Sequence, residues 1–145
     1  MLNESRIDVY DYLYNVFYDV VTKNVYAMYE PQELTESDNK DGFLVITVGN
    51  LTDESEFSDN AYGWARCYVE AYIPAISRGR LDYEKYKEFE DGINALIDEE
   101  SARSNGTYTI LEGSVLSADT RESTGANSVF YTFVKSFIVI IDEQE

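Results

Sequence analysis

Apolar residues recur at three- and four-residue spacing over residues 4–24, at Ile7, Tyr10, Leu13, Tyr14, Phe17, Val20 and Val21, which predicts an amphipathic helix. Asn3 or Ser5 can cap its start, and Asp8, Asp11, Asn15 and Asp19 then face water. The run "VYAMYEP" reads as a short extended link ending at Pro31, whose fixed φ and missing N–H discourage regular structure. "QELTESDNKDG" has no apolar period and reads as a loop that Gly42 closes. "FLVITVG", residues 43–49, is apolar on both parities, as in a strand covered on both faces. "WARCYVEAYIP", residues 64–74, alternates cleanly. Ala65, Cys67, Val69, Ala71 and Ile73 take one face, and Trp64, Arg66, Tyr68, Glu70 and Tyr72 take the other.

Beyond Pro74 a turn at Gly79 leads to Asp82 as N-cap of a second helix, whose stripe is Tyr86, Phe89, Ile93, Leu96 and Ile97. "SARSNG" is its exit turn. Two β-rich runs follow, "TYTILEGSVLSA" and "SVFYTFVKSFIVII", joined by the polar loop "DTRESTGAN".

The order helix, strand, strand, helix, strand, strand predicts an α+β fold, one domain over residues 1–145. Its sheet is four-stranded and mostly antiparallel, with both helices packed on one face. The other face then carries Trp64, Tyr68 and Tyr72. One parity of the last strand adds Tyr131, Phe133, Phe137 and Val139, too much aromatic surface to leave wet in a monomer. Tyr and Phe also favour strands for their own sake, and packing under long loops would account for some of them. A subunit interface is the other reading, because interface cores favour Tyr, Trp and Arg. Its candidate residues are Trp64, Arg66, Tyr68, Tyr72, Tyr131, Phe133 and Phe137.

Composition narrows the chemistry. A chain of 145 residues that is 44% hydrophobic can bury one real core. No run approaches the length of an apolar membrane span, and the N-terminus has no signal-peptide pattern, so a soluble protein made in the cytosol is expected. The single cysteine, Cys67, excludes an internal disulfide and lies on the apolar parity of its strand, as a buried structural thiol does. There is no histidine, which removes the usual general base and the commonest transition-metal ligand. Two N-x-T matches, at 50–52 and 105–107, would matter only in a eukaryotic secreted chain, and no other feature supports that setting. Against 28 acids stand 11 basic residues, a net charge of −17 that repels nucleic-acid phosphate.

"LTDESEFSDNAYG", between the two central strands, concentrates Asp53, Glu54, Glu56 and Asp59 without a basic residue. These acids lack ligand spacing. They read as a projecting, solvated acidic loop. The nearest calcium-loop match, Ser37, Asn39, Asp41 and Gly42, has no acid at its first position and has Val48 where a bidentate glutamate belongs. Phosphate loops, nucleophile elbows and cysteine clusters are absent. A glycosidase-type pair of acids has no aromatic pocket to mark it. Arg66, Arg78 and Arg80 are the one concentrated basic group, fit to pair with local acids or with an acidic neighbour. No catalytic residue, cofactor or metal site is expected.

The helix "RIDVYDYLYNVFYDVV", a loop with proline, the pair "GFLVITVGN" and "ARCYVEAYIP", the helix "YEKYKEFEDGINALI" and a final pair ending "FYTFVKSFIVII" together resemble the tail terminator (tail completion) proteins of long-tailed bacteriophages. The likeness lies in element order and length over nearly the whole chain, since the family has no catalytic motif to match. It implies a virion structural protein, made in the bacterial host cytoplasm, that forms a ring, usually a hexamer, on the tail tube. Such a ring stops tube polymerisation, meets the head connector in the neck and lets genomic DNA pass. An acidic lumen would keep that DNA from sticking, and in such a ring the loop of Asp53, Glu54, Glu56 and Asp59 would turn to the lumen or to a neighbouring subunit.

The alternative is an acidic binding protein, such as a DNA mimic or inhibitor. A mimic needs a dense stripe of acids on one face, and here they are spread over both helices and several loops. A carboxylate enzyme is the third reading and has no pocket signature.

Overall fold

The computed structural model describes residues 2–27, 31, 33–55, 61–98, 107–111, 116–117, 121–124 and 129–143, with backbone alone at 61, 98, 116–117, 121–124 and 129. Glu56, Asp59 and the exit turn at 101–106 lie outside these residues. The described chain is α+β, with three α-helices on a mixed sheet that is larger than the four strands expected.

The first helix, α1 (Arg6–Phe17), starts at Ser5, whose hydroxyl accepts the Asp8 N–H while the Asp8 carboxylate accepts the Ser5 N–H, a reciprocal capping box. It stops short of the predicted end. Tyr18 is already extended, and Asp19 adopts φ 58°, a left-handed conformation that Asp tolerates better than most residues. β1 (Val25–Ala27) then runs parallel to β2 (Phe43–Val48), with Val25 opposite Leu44.

Between them the expected loop contains a short helix, α2 (Glu36–Asp41). Thr35 and Asp38 form a second capping box that needs no apolar period to start a turn of helix. Gly42 does close the segment, at φ 83°. A Cβ there would stand 2.5 Å from the Tyr72 carbonyl oxygen, so both conformation and space demand glycine.

β3 (Thr52–Asp53) lies inside the acidic connection and pairs with β4 (Ala61–Pro74), which starts three residues earlier than predicted. A 3-10 turn at Ser77–Gly79 leads to α3 (Tyr83–Asp98). β5 (Tyr108–Ile110), β6 (Leu116–Ser117) and β7 (Arg121–Thr124) all pair with the long last strand β8 (Val129–Glu143). β7 falls where a polar loop was expected. The main strand order is β1-β2-β4-β8-β5, and every described pairing but β1 with β2 is antiparallel.

The predicted helical layer is present. Val9, Leu13 and Phe17 of α1 and Phe89, Ile93 and Ile97 of α3 pack on Leu44, Ile46, Ala65, Cys67, Val69, Phe133, Phe137, Val139 and Ile141, all buried on one sheet face. Ile7, Tyr14 and Val20, assigned to the buried stripe by their spacing, are instead exposed. The inward stripe is one step round the helix, at Val9, Tyr10, Leu13 and Phe17.

Part of the opposite face is covered too. Phe43, Val45, Tyr72 and Phe130 form a second small core with Leu34 and Tyr26. Phe43 and Tyr72 stack at 4.4 Å, and the Tyr26 hydroxyl donates to Asp38 of α2 at 2.7 Å. Segment 34–41 thus serves as a partial lid, which the sequence pattern did not announce.

Candidate interaction surface

The β4–β8 ribbon is the longest ladder in the sheet, running from Ala61 opposite Glu143 to Pro74 opposite Phe130. Its register decides which side chains share a face. Trp64 lies opposite Ile140, Arg66 opposite Ile138, Tyr68 opposite Ser136 and Glu70 opposite Val134, all on the side away from α1 and α3. Tyr68 is 40% exposed, and Trp64, Arg66, Val134, Ser136, Ile138 and Ile140 are half-buried. The Arg66 guanidinium donates to the Ser136 hydroxyl at 3.1 Å and so bridges the two strands. On the other side of β4, exposed Thr47 stands beside Tyr68.

The structure keeps three of the seven expected interface residues together, Trp64, Arg66 and Tyr68. Tyr72 shares their face but is sealed in the second core at 7% exposure. Phe133 and Phe137 are corrected. They stand opposite Ala71 and Cys67 on the helix-covered face and are fully buried, as is Val139. Tyr131 belongs to that same parity, and its hydroxyl donates to the Gly79 carbonyl at 2.8 Å, fastening β8 to the turn before α3. The residues that β8 does contribute to the open face, Val134, Ile138 and Ile140, were missed. β8 is apolar on both parities, so its sequence alone could not say which one turned outward.

The described half of the acidic connection does not project freely. Asp53 accepts the Leu2 N–H at 3.0 Å through one carboxylate oxygen and both the N–H and the hydroxyl of Ser55 through the other. The Ser55 hydroxyl, then these backbone N–H groups, hold the Asp53 carboxyl down at about 2. Glu54 is tied by its N–H to the Tyr62 carbonyl. Across the sheet Glu143 accepts the N–H groups of Asn3 and Glu4, and the Tyr108 hydroxyl donates to Glu4 at 2.7 Å. These acids fasten residues 2–4 to β3, β5 and β8. Among the described residues no group of three or more potential ligands could hold a metal ion.

Cys67 is fully buried on the inner parity, and burial pushes its thiol up to about 12, so the structure gives it a packing position. Of the three arginines, Arg80 bonds the Ser77 carbonyl and hydroxyl, and Arg78 lies in the turn at φ 66°. No helix among the described residues is long and apolar enough to cross a membrane. Compared with protein-family models and with curated proteins, the chain matches none of either.

Proposed function

We propose that the protein is a structural component of a phage or phage-like tail, a ring-forming tail terminator or neck protein. In this reading it caps the tail tube, meets the head-tail connector protein and lets genomic DNA pass without binding it. It would reside in the virion after synthesis in the bacterial host cytoplasm, assemble as a homo-oligomeric ring, by resemblance a hexamer, and use no cofactor or catalytic group. The observation that carries the reading is the open end of the β4–β8 face, where Trp64, Arg66 and Tyr68 lie beside Val134, Ile138 and Ile140. A surface of large apolar side chains with an arginine at its centre is what a subunit contact requires. The charge of −17 supports the other half of the reading, since a lumen of like sign would not trap passing phosphate.

Sizing the native protein by sedimentation and native mass spectrometry tests this. A discrete ring is expected, and Trp64→Ser with Tyr68→Ser should dissolve it into folded monomers. A stable monomer or dimer that competes with DNA for a basic partner would replace this reading with that of an acidic mimic. Hydrolytic turnover would sink both.

A further inference from the structure

We infer that segment 34–41 is a displaceable lid, which seals the aromatic end of the β4–β8 face in the resting chain and opens while the rest of the fold stays intact, whether or not the copies form a ring. One face is continuous beneath and beyond it. Tyr72 extends the row of Trp64, Arg66, Tyr68 and Glu70 along β4, with Phe43 of β2 beside it and Phe130 of β8 opposite Pro74. Phe43 stacks on Tyr72 at 4.4 Å, and Phe130 stands edge-on to both at 5.5 and 6.2 Å. Tyr68 is 40% exposed, whereas Tyr72, four residues on, is 7% exposed in the cluster against which Leu34 packs.

Little apolar surface holds the lid in place. Its sequence, "LTESDNKD", contains one apolar residue, Leu34, which is half-buried, whereas α1 and α3 each press three large apolar side chains or more into the main core. Other ties are polar. From outside, the Asn24 amide donates to the Ser37 hydroxyl at 3.0 Å and the Lys85 ammonium to the Lys40 carbonyl at 3.3 Å, both in contact with water. Gly42 ends the segment at φ 83°, a residue that can absorb a change of φ and ψ.

On the inside the closed state carries a cost. Asp38 is fully buried, and one of its carboxylate oxygens accepts the Tyr26 hydroxyl at 2.7 Å and the Thr35 N–H at 2.9 Å. No donor among the described residues reaches the other oxygen, and Lys40, the basic residue of α2, is exposed. A buried acceptor without a partner is destabilising, and opening returns it to water. An element with few apolar contacts, exposed bonds and a buried, half-satisfied charge belongs to the least stable part of a fold. When it opens, Phe43, Tyr72 and Phe130 join the surface at Tyr68, so the lid sets how much apolar face the sheet presents.

Native-state hydrogen exchange of the full chain, read by NMR at low urea, tests the opening. The Asn39 and Gly42 amides, bonded to the Thr35 and Asp38 carbonyls, report on α2, and those of Cys67 and Val69 report on the β4–β8 ladder. The α2 pair is expected to exchange about 100-fold faster than the β4 pair, through an opening far less sensitive to urea than global unfolding. Tyr26→Phe, which removes the hydroxyl bonded to Asp38 and keeps the ring, should speed α2 exchange about tenfold and leave β4 exchange unchanged. Leu34→Ala should act in the same direction. Both variants should also bind more Nile red, an uncharged apolar dye, because a larger share of molecules presents the aromatic cluster. Exchange of α2 at the rate and urea dependence of β4 would show that the lid opens only when the whole chain unfolds and would overturn the inference. Faster α2 exchange with unchanged dye binding would overturn it too, since the opening would then uncover nothing.

Discussion

Cys67 stands opposite Phe137 in the β4–β8 ladder, with both side chains fully buried beneath the helices. That one pairing fixes the parity of the whole ribbon, because side chains alternate across a strand with period two. It places Phe133, Phe137, Val139 and Ile141 in the core and sends Val134, Ile138 and Ile140 to the face of Trp64 and Tyr68.

The two faces should therefore respond differently to truncation. Phe137→Ala opens a cavity against Phe17, whose ring centroid lies 6.1 Å away, and is expected to destabilise the fold by about 3–5 kcal/mol. Tyr68→Ser, on a side chain 40% exposed, should stay within about 1 kcal/mol of wild type. Urea denaturation of both variants measures the contrast. Cys67 gives a second readout. Its thiol, held up by burial, should resist alkylation at pH 8 until the protein unfolds. Comparable losses in the two variants, or a thiol that reacts in the native state, would contradict the assigned parity.

β4 could be read from its sequence because Arg66, Tyr68 and Glu70 alternate with Ala65, Cys67, Val69 and Ala71 and so label the two faces. β8 could not. Its run Phe133, Val134, Phe137, Ile138, Val139 and Ile140 is apolar on both parities, and only the register with β4 turns the aromatic residues inward. α1 shows a related ambiguity, since its apolar residues occupy more than one stripe of the helix, and only the sheet decides between Val9 and Ile7. For α2 a signal was present in Thr35 and Asp38, the capping pair, but with no apolar stripe behind it the segment looked like loop. The acidic stretch was recognisable as a connection, whereas the use of Asp53 as a fastening for Leu2 depends on a contact across 51 positions that no local pattern encodes.

That fastening has a pH signature. Asp53 titrates at about 2 in the folded chain, below the usual 3.8, chiefly because it accepts bonds from Ser55 and Leu2. Asp8 is lowered in the same direction by the Ser5 N–H and hydroxyl at the start of α1. A carboxyl whose folded pKa is depressed contributes stability above its unfolded pKa and loses it as pH falls through the folded value. The N-terminal segment should therefore hold above pH 4 and loosen between about 4 and 2. Amide resonances of Leu2 and Ser55 followed over that range should titrate with Asp53, and Asp53→Asn should abolish that dependence. An Asp53 carboxyl that titrates near 4, with the Leu2 amide unmoved, would show that the contact is not held in solution.

Lys135 carries the remaining prediction, because it is the one charged side chain between Phe133 and Phe137 on the inner parity of β8. Its side chain is 7% exposed, its Nζ lies 3.5 Å from the Glu90 carboxylate of α3, and it sits 5.6 Å from the centre of the Phe133 ring. Removing the acid leaves a buried cation with less compensation, whereas replacing the cation by an apolar side chain of similar length removes the need for compensation. Glu90→Ala is thus expected to lower stability by about 1–3 kcal/mol. Lys135→Met should fall within about 1 kcal/mol of wild type, or above it. Adding Glu90→Ala to Lys135→Met should then have little further effect, since the two groups act as a pair. Chemical denaturation of the two single variants and the double variant closes the cycle. A Lys135→Met variant less stable than Glu90→Ala would mean that the ammonium is held mainly by groups other than Glu90, and that α3 is fixed to β8 by apolar packing alone.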